Sequence, residues 1–95
     1  MSQVSNRFQK LDQWRLKSGL TIGQLRDALN AVPGRPAALR PRTQSAVHRL
    51  LTGQIRFADP WLASEIEHVT GGEVSTLDYL RFVAERAAAQ FEEAA

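Results

Sequence analysis

In the stretch RTQSAVHRLLTG, residues 42–53, the side chains of Gln44, Ser45, His48 and Arg49 could read a hydrogen-bonding surface. At helical spacing they and Thr52 share one side, and Val47, Leu50 and Leu51 turn to the other. A glutamine amide pairs bidentately with adenine and a guanidinium with guanine, while small hydroxyls serve either a base edge or a phosphate. Thr43 would open the helix as its N-cap, where unpaired N–H groups favour a phosphate. This is the chemistry of a short helix laid in the major groove of duplex DNA. Ser45 and His48 also have the spacing of a nucleophile and its base, but no acid stands where it would orient the imidazole, so no enzyme is expected. His68 beside Glu65 and Glu67, in a chain with two histidines and no cysteine, makes no metal-ligand pattern, so neither metal nor cofactor is expected.

The charge distribution names a partner for such a helix. Ten basic side chains against Asp12 and Asp27 give residues 1–58 a net charge of +8; Arg81 and Arg86 against eight acids give residues 59–95 a net charge of −6. A basic working half beside an acidic solubilising half suits a polyanion, and duplex DNA is the common large one. The alternative is two halves that neutralise each other inside one fold. The basic half includes VPGRPAALRPR, residues 32–42, where Arg35, Arg40 and Arg42 lie on a proline-stiffened strip just before the helix. With Thr43 and Arg56, these arginines are the candidates for phosphate or minor-groove contacts.

The elements that must position these residues are helices. Phe8, Leu11 and Trp14 share a face over residues 5–18. Thr21 and Gln24 form a capping box ahead of the stripe Ile22, Leu25, Ala28 and Leu29. Pro33 and Gly34 end that helix, and three prolines keep residues 30–42 from continuing it. The polar helix follows at about 43–51, closed by Gly53. Asp59 with Pro60 opens a fourth helix through Trp61, Leu62, Ile66 and Val69, which Gly71-Gly72 stop. Ser75 and Asp78 open a long alanine-rich fifth, with Leu77, Leu80, Val83 or Ala84, Ala87 and Phe91 along one stripe. The expectation is an all-α single domain of five helices, residues 1–74 as a helical core and 75–93 as a C-terminal helix. Trp14 and Trp61 are expected in the core. No segment resembles a signal peptide, and no apolar run approaches the ~20 residues of a membrane span. Together with the absence of cysteine, this suits a reducing, cytoplasmic setting.

TQSAVHRLLTG resembles the recognition helix of Cro/repressor-type helix-turn-helix regulators of phages and mobile elements, a group that includes YdaS-like proteins. ASEIEHVTGGEVSTLDYL resembles the helix and Thr-Gly-Gly turn that follow in many of them, and SGLTIGQLRDAL resembles the first helix of the motif more loosely. Together these cover the middle two-thirds of the chain. The resemblance implies a DNA-binding transcriptional regulator, in the simplest case a repressor that occupies an operator. The chain departs from the pattern in three places. Thirteen residues, 30–42, join the helices where three or four are usual. Arg26 stands where a small residue is common, and Ile22 where a glutamine often begins the first helix. PGRP resembles the Gly-Arg-Pro core of AT-hooks, which lie in the minor groove.

A monomer of this size reads few base pairs, so a homodimer on a two-fold site is expected. Leu80, Val83, Ala87 and Phe91 are the candidate interface, with packing onto the first helix as the alternative for the same stripe. Rival functions are an antitoxin that also binds a toxin, an architectural or packaging DNA binder without operator preference, and an adaptor that binds only protein. RNA polymerase is a further possible protein partner.

Overall fold

The computed structural model describes residues 7–55 and 57–94, with side chains as far as residue 91. Among them are five helices and no strand: α1 (Gln9–Lys17), α2 (Ile22–Asn30), α3 (Gln44–Thr52), α4 (Pro60–Val69) and α5 (Thr76–Ala94). The expected all-α architecture is the one observed.

Four of the five helix starts are held by caps legible in the sequence. The Thr21 hydroxyl accepts the Gln24 N–H at 3.1 Å, and the Gln24 amide oxygen accepts the Thr21 N–H at 2.9 Å. Thr43 accepts the Ala46 N–H at 3.0 Å, and Asp59 accepts those of Trp61 and Leu62 at 3.0 and 3.2 Å. Ser75 and Asp78 cap each other reciprocally. Each such cap contributes ~1 kcal/mol. α1 has no side-chain cap. Its start is tied to α3 instead, because the Phe8 N–H donates to the Leu51 carbonyl at 2.9 Å and the Phe8 ring stacks on Phe82 with centroids 4.4 Å apart.

The core joins all five helices. Phe8 and Leu11, Leu25 and Leu29, Val47, Leu50 and Leu51, Ala63 and Ile66, and Val74, Tyr79, Phe82 and Val83 form one buried cluster. Gly53, at φ +79°, turns the chain out of α3 in the left-handed conformation that glycine adopts without strain. The buried Thr70 hydroxyl organises the turn after α4, donating to the Ile66 carbonyl at 2.8 Å and accepting the Val74 N–H at 3.0 Å.

Two expectations are corrected, one about the candidate interface and one about the core. Along α5 the inward residues are Tyr79, Phe82 and Val83, while Leu77, Leu80 and Phe91 are 55%, 41% and 76% exposed. Val83 therefore belongs to the core and not to the candidate interface with Leu80, Ala87 and Phe91. The rotation of α5 is fixed by polar ties on its inner side. Tyr79 Oη accepts the Asp59 N–H at 3.0 Å, and Arg86 and Gln90 donate to the Gly53 and Ile55 carbonyls at 3.1 and 3.2 Å. Trp61, expected inside, is exposed on the first turn of α4, since the Asp59 cap turns Ala63 and Ile66 inward instead. Trp14 is partly buried against the core as expected.

Candidate nucleic-acid interface

α3 separates its two faces cleanly. Val47, Leu50 and Leu51 are buried, and Gln44, Ser45, His48 and Arg49 are all exposed. Thr43 is exposed as the cap, its hydroxyl oxygen engaged by the Ala46 N–H. At the other end Thr52 donates back to the His48 carbonyl at 2.9 Å, and Gln54 donates to the Thr52 hydroxyl at 3.1 Å, which extends the polar surface past the helix.

α2 packs against α3, and their first turns meet. A Cβ added at Gly23 would lie 3.4 Å from Gln44 Oε1, 3.8 Å from Arg26 Nη2 and 3.9 Å from Thr21 Oγ1. The side chain of Gln44 thus lies against the start of α2, with the Arg26 guanidinium beside it. Arg26 also pairs with its exposed neighbour Asp27 at 2.9 Å. Arg26, where the resembling helices often have a small residue, adjoins the first base-reading candidate in the folded chain.

The arginine strip is arranged differently from the expectation. The side chains of Arg35 and Arg42 are only 12% and 14% exposed, and both turn inward onto Glu65 of α4, which is 2% exposed. Arg35 Nε donates to Glu65 Oε2 at 3.0 Å, and its two terminal nitrogens donate to the Leu39 and Arg40 carbonyls at 3.1 and 2.8 Å. Arg42 Nε donates to Glu65 Oε1 at 3.1 Å, and Nη1 donates to Asp59 Oδ2 at 2.6 Å. Arg42 Nη2 is buried without a hydrogen-bond partner among the described residues. The assignment of Arg35 and Arg42 to a phosphate row is therefore corrected: their charges are matched by two carboxylates within the fold. Burial by itself would raise the Asp59 carboxyl, but the Arg42 guanidinium and the Leu62 and Trp61 N–H groups outweigh it and hold the carboxyl below its ordinary value. The same two carboxylates outweigh the burial of Arg42 and strengthen its hold on its proton.

Of the remaining candidates, Arg40 is exposed and its side chain has no partner among the described residues; Arg56 lies outside them. The segment between α2 and α3 is closed at its base by Asn30. Its amide nitrogen donates to the Arg42 carbonyl at 3.1 Å, and its amide oxygen accepts the Arg42 N–H at 2.7 Å. This two-way bridge brings the last residue of α2 to the threshold of α3, so the long connection leaves the two helices packed together. Residues 36–39 form a turn of their own, the Leu39 N–H donating to the Pro36 carbonyl at 3.0 Å.

Some basic charge of the first half is thus neutralised by acids of the second, in Lys10–Asp78 at 2.7 Å and Lys17–Glu73 at 3.7 Å as well as the Arg35 and Arg42 pairs. Among the described residues, the exposed cations around α3 are Arg49 and Arg40, with Arg26 half-buried next to Gln44. Glu65 and Asn30, which set this arrangement, are absent from the candidate residues. Glu65 has a sequence signal nonetheless: it falls on the inward stripe of Leu62, Ile66 and Val69, where a carboxylate requires a buried cation. Asn30 has none beyond its place before a proline-rich segment.

Among the described residues no group of three or more His, Cys, Asp and Glu could hold a metal ion, and no helix is long and apolar enough to cross a membrane. Compared with known protein families, with curated proteins and with solved structures, the chain finds no match in any of the three.

Proposed function

We propose that this chain is a sequence-specific double-stranded DNA-binding regulator of the Cro/repressor helix-turn-helix type that acts by occupying an operator. The observation that carries the reading is α3 itself, a helix apolar only on its inner side that presents Gln44, Ser45, His48 and Arg49 together on its exposed face. The packing of Gln44 against the start of α2 supports it further, since a helix-turn-helix uses its first helix to brace the second on the duplex. In this reading Gln44 and Arg49 supply bidentate base contacts, with Ser45 and His48 completing the readout. Arg40, Arg26 and the N–H groups at the mouth of α3 hold phosphates. Arg35 and Arg42 act indirectly, by fixing the segment that delivers Thr43 to the helix start.

The test is selection of bound duplexes from a random pool, followed by titration of the enriched sequence at two salt concentrations. Gln44→Ala is expected to relax preference at one base position and to cost roughly 1–3 kcal/mol on the selected site. Arg40→Ala is expected to weaken all sequences alike and to lower the salt dependence by about one ion. Salt-sensitive binding with no enriched motif would replace this reading with an architectural one. Absence of binding at low salt would overturn it and leave a protein partner, such as a toxin, as the remaining class.

A further inference from the structure

The outer face of α5 is apolar and uncovered. At 3.6 residues per turn, Leu77, Leu80, Ala84, Ala87, Ala88 and Phe91 fall within about 120° of arc, all are exposed, and the residues opposite them are those that pack on the core. Leu77, Leu80, Ala84, Ala87 and Phe91 also follow the alternating three-and-four spacing that lets one helix lie along another. A seam this regular on the outside of the longest helix calls for an occupant that is itself a helix.

We propose that the occupant is α5 of a second copy of this chain, running antiparallel about a two-fold axis that passes beside Ala84. The size pattern of the seam is self-complementary in that arrangement. Leu77 meets Phe91 of the second copy at each end, Leu80 meets Ala88, and Ala84 meets its own counterpart in the middle, where small side chains let the backbones approach. Charge selects the same arrangement. Arg81 lies on one edge of the seam with Glu85 beyond it, one turn apart; both are exposed, and neither has an ion-pair partner among the described residues. In an antiparallel pair like edges face each other, so Arg81 comes to within about 3 Å of the height of Glu85 of the second copy, and the two-fold repeats the pair. A parallel pair would set that edge against the one carrying Thr76, Val83 and Gln90, which offers no carboxylate. The seam therefore specifies both a partner and a direction, and Val83 lies behind it within the fold.

The pairing does not depend on DNA binding and is tested without DNA, by sedimentation equilibrium of the full chain over a concentration series. The wild type is expected to form a dimer that dissociates on dilution. Arg81→Glu is expected to weaken it by roughly tenfold or more, since like charges then face each other across the seam, and the double variant Arg81→Glu, Glu85→Arg is expected to restore it. Direction is read separately by disulfide formation, for which the cysteine-free chain provides a clean background. Ala84→Cys is expected to cross-link to itself under mild oxidation, and Leu77→Cys is not, because its counterpart lies about 21 Å away along the seam. A monomer at every concentration, loss of dimer that the double variant does not restore, or cross-linking of Leu77→Cys as readily as Ala84→Cys would each overturn the proposal.

Discussion

Arg42 and Arg49 stand at the two ends of the same short helix and have opposite surroundings. Arg42 enters the fold, bound to Asp59 and Glu65, whereas Arg49 is exposed on the outer face of α3. Nothing in either residue's own type decides this. The difference is made by Glu65, a carboxylate on the inward face of α4 that cannot remain buried without cations and draws two arginines from the connecting segment. Counting basic residues along a chain therefore overstates the surface offered to a polyanion when acids elsewhere lie on apolar stripes. One arginine is held inside the fold and the other is left exposed.

The comparison is broken most directly at Glu65. Glu65→Ala leaves two buried guanidinium groups with one carboxylate between them and is expected to cost about 3–5 kcal/mol in urea unfolding. Arg49→Ala is expected to stay within about 0.5 kcal/mol of the wild type in the same assay and, on the function proposed above, to weaken DNA binding. Equal losses of stability would erase the distinction between the two regions. A smaller effect is expected at the bridge: Asn30→Ala strands the Arg42 N–H and carbonyl and should cost about 1–3 kcal/mol, checked by the same unfolding curves.

Acid sharpens the contrast, because the inward arginines depend on carboxylates. The folded Asp59 carboxyl lies below its ordinary value of 3.8, so its contribution is fully present above that pH and is lost as pH falls through the lower folded value. Asp78, held down at about 2 by the Lys10 ammonium and the Ser75 N–H, extends the loss to about pH 2. The thermal midpoint is expected to fall progressively between those values, and Arg42→Met should make the fall shallower. A midpoint independent of pH below 4 would contradict both pairings. A small effect of the opposite sign is expected at Gly23, whose backbone is ordinary helix and whose added methyl would meet Gln44 at 3.4 Å, an ordinary contact. Gly23→Ala should be stabilising by about 0.5–1 kcal/mol in the same melts.

These effects fall where the sequence is least and most legible. The helix starts at Thr21, Thr43, Asp59 and Ser75 are local chemistry, each a side chain and an N–H two or three residues on, and they are readable from spacing alone. The inward side of α3 is readable for the same reason. The rotation of α5 is not, because two apolar stripes compete on it, and the choice of Tyr79, Phe82 and Val83 over Leu77, Leu80 and Phe91 is made by distant partners at Asp59, Gly53 and Ile55. The arginine strip fails for a similar reason: Arg35 meets its carboxylate thirty residues along the chain and Arg42 twenty-three, and no local pattern connects them.

The Asn30 bridge has a consequence for how the chain can be rearranged. Because the base of the segment is fastened at Asn30 and Arg42, the residues between leave and return at adjacent points, and Arg35 ties them to Glu65 of α4. The segment's outer turn, around Ala37 and Ala38, is the natural place to open the chain or to graft another sequence. Two fragments divided there would each carry half of the bridge. A connection of thirteen residues thus behaves, at its two ends, as a short one.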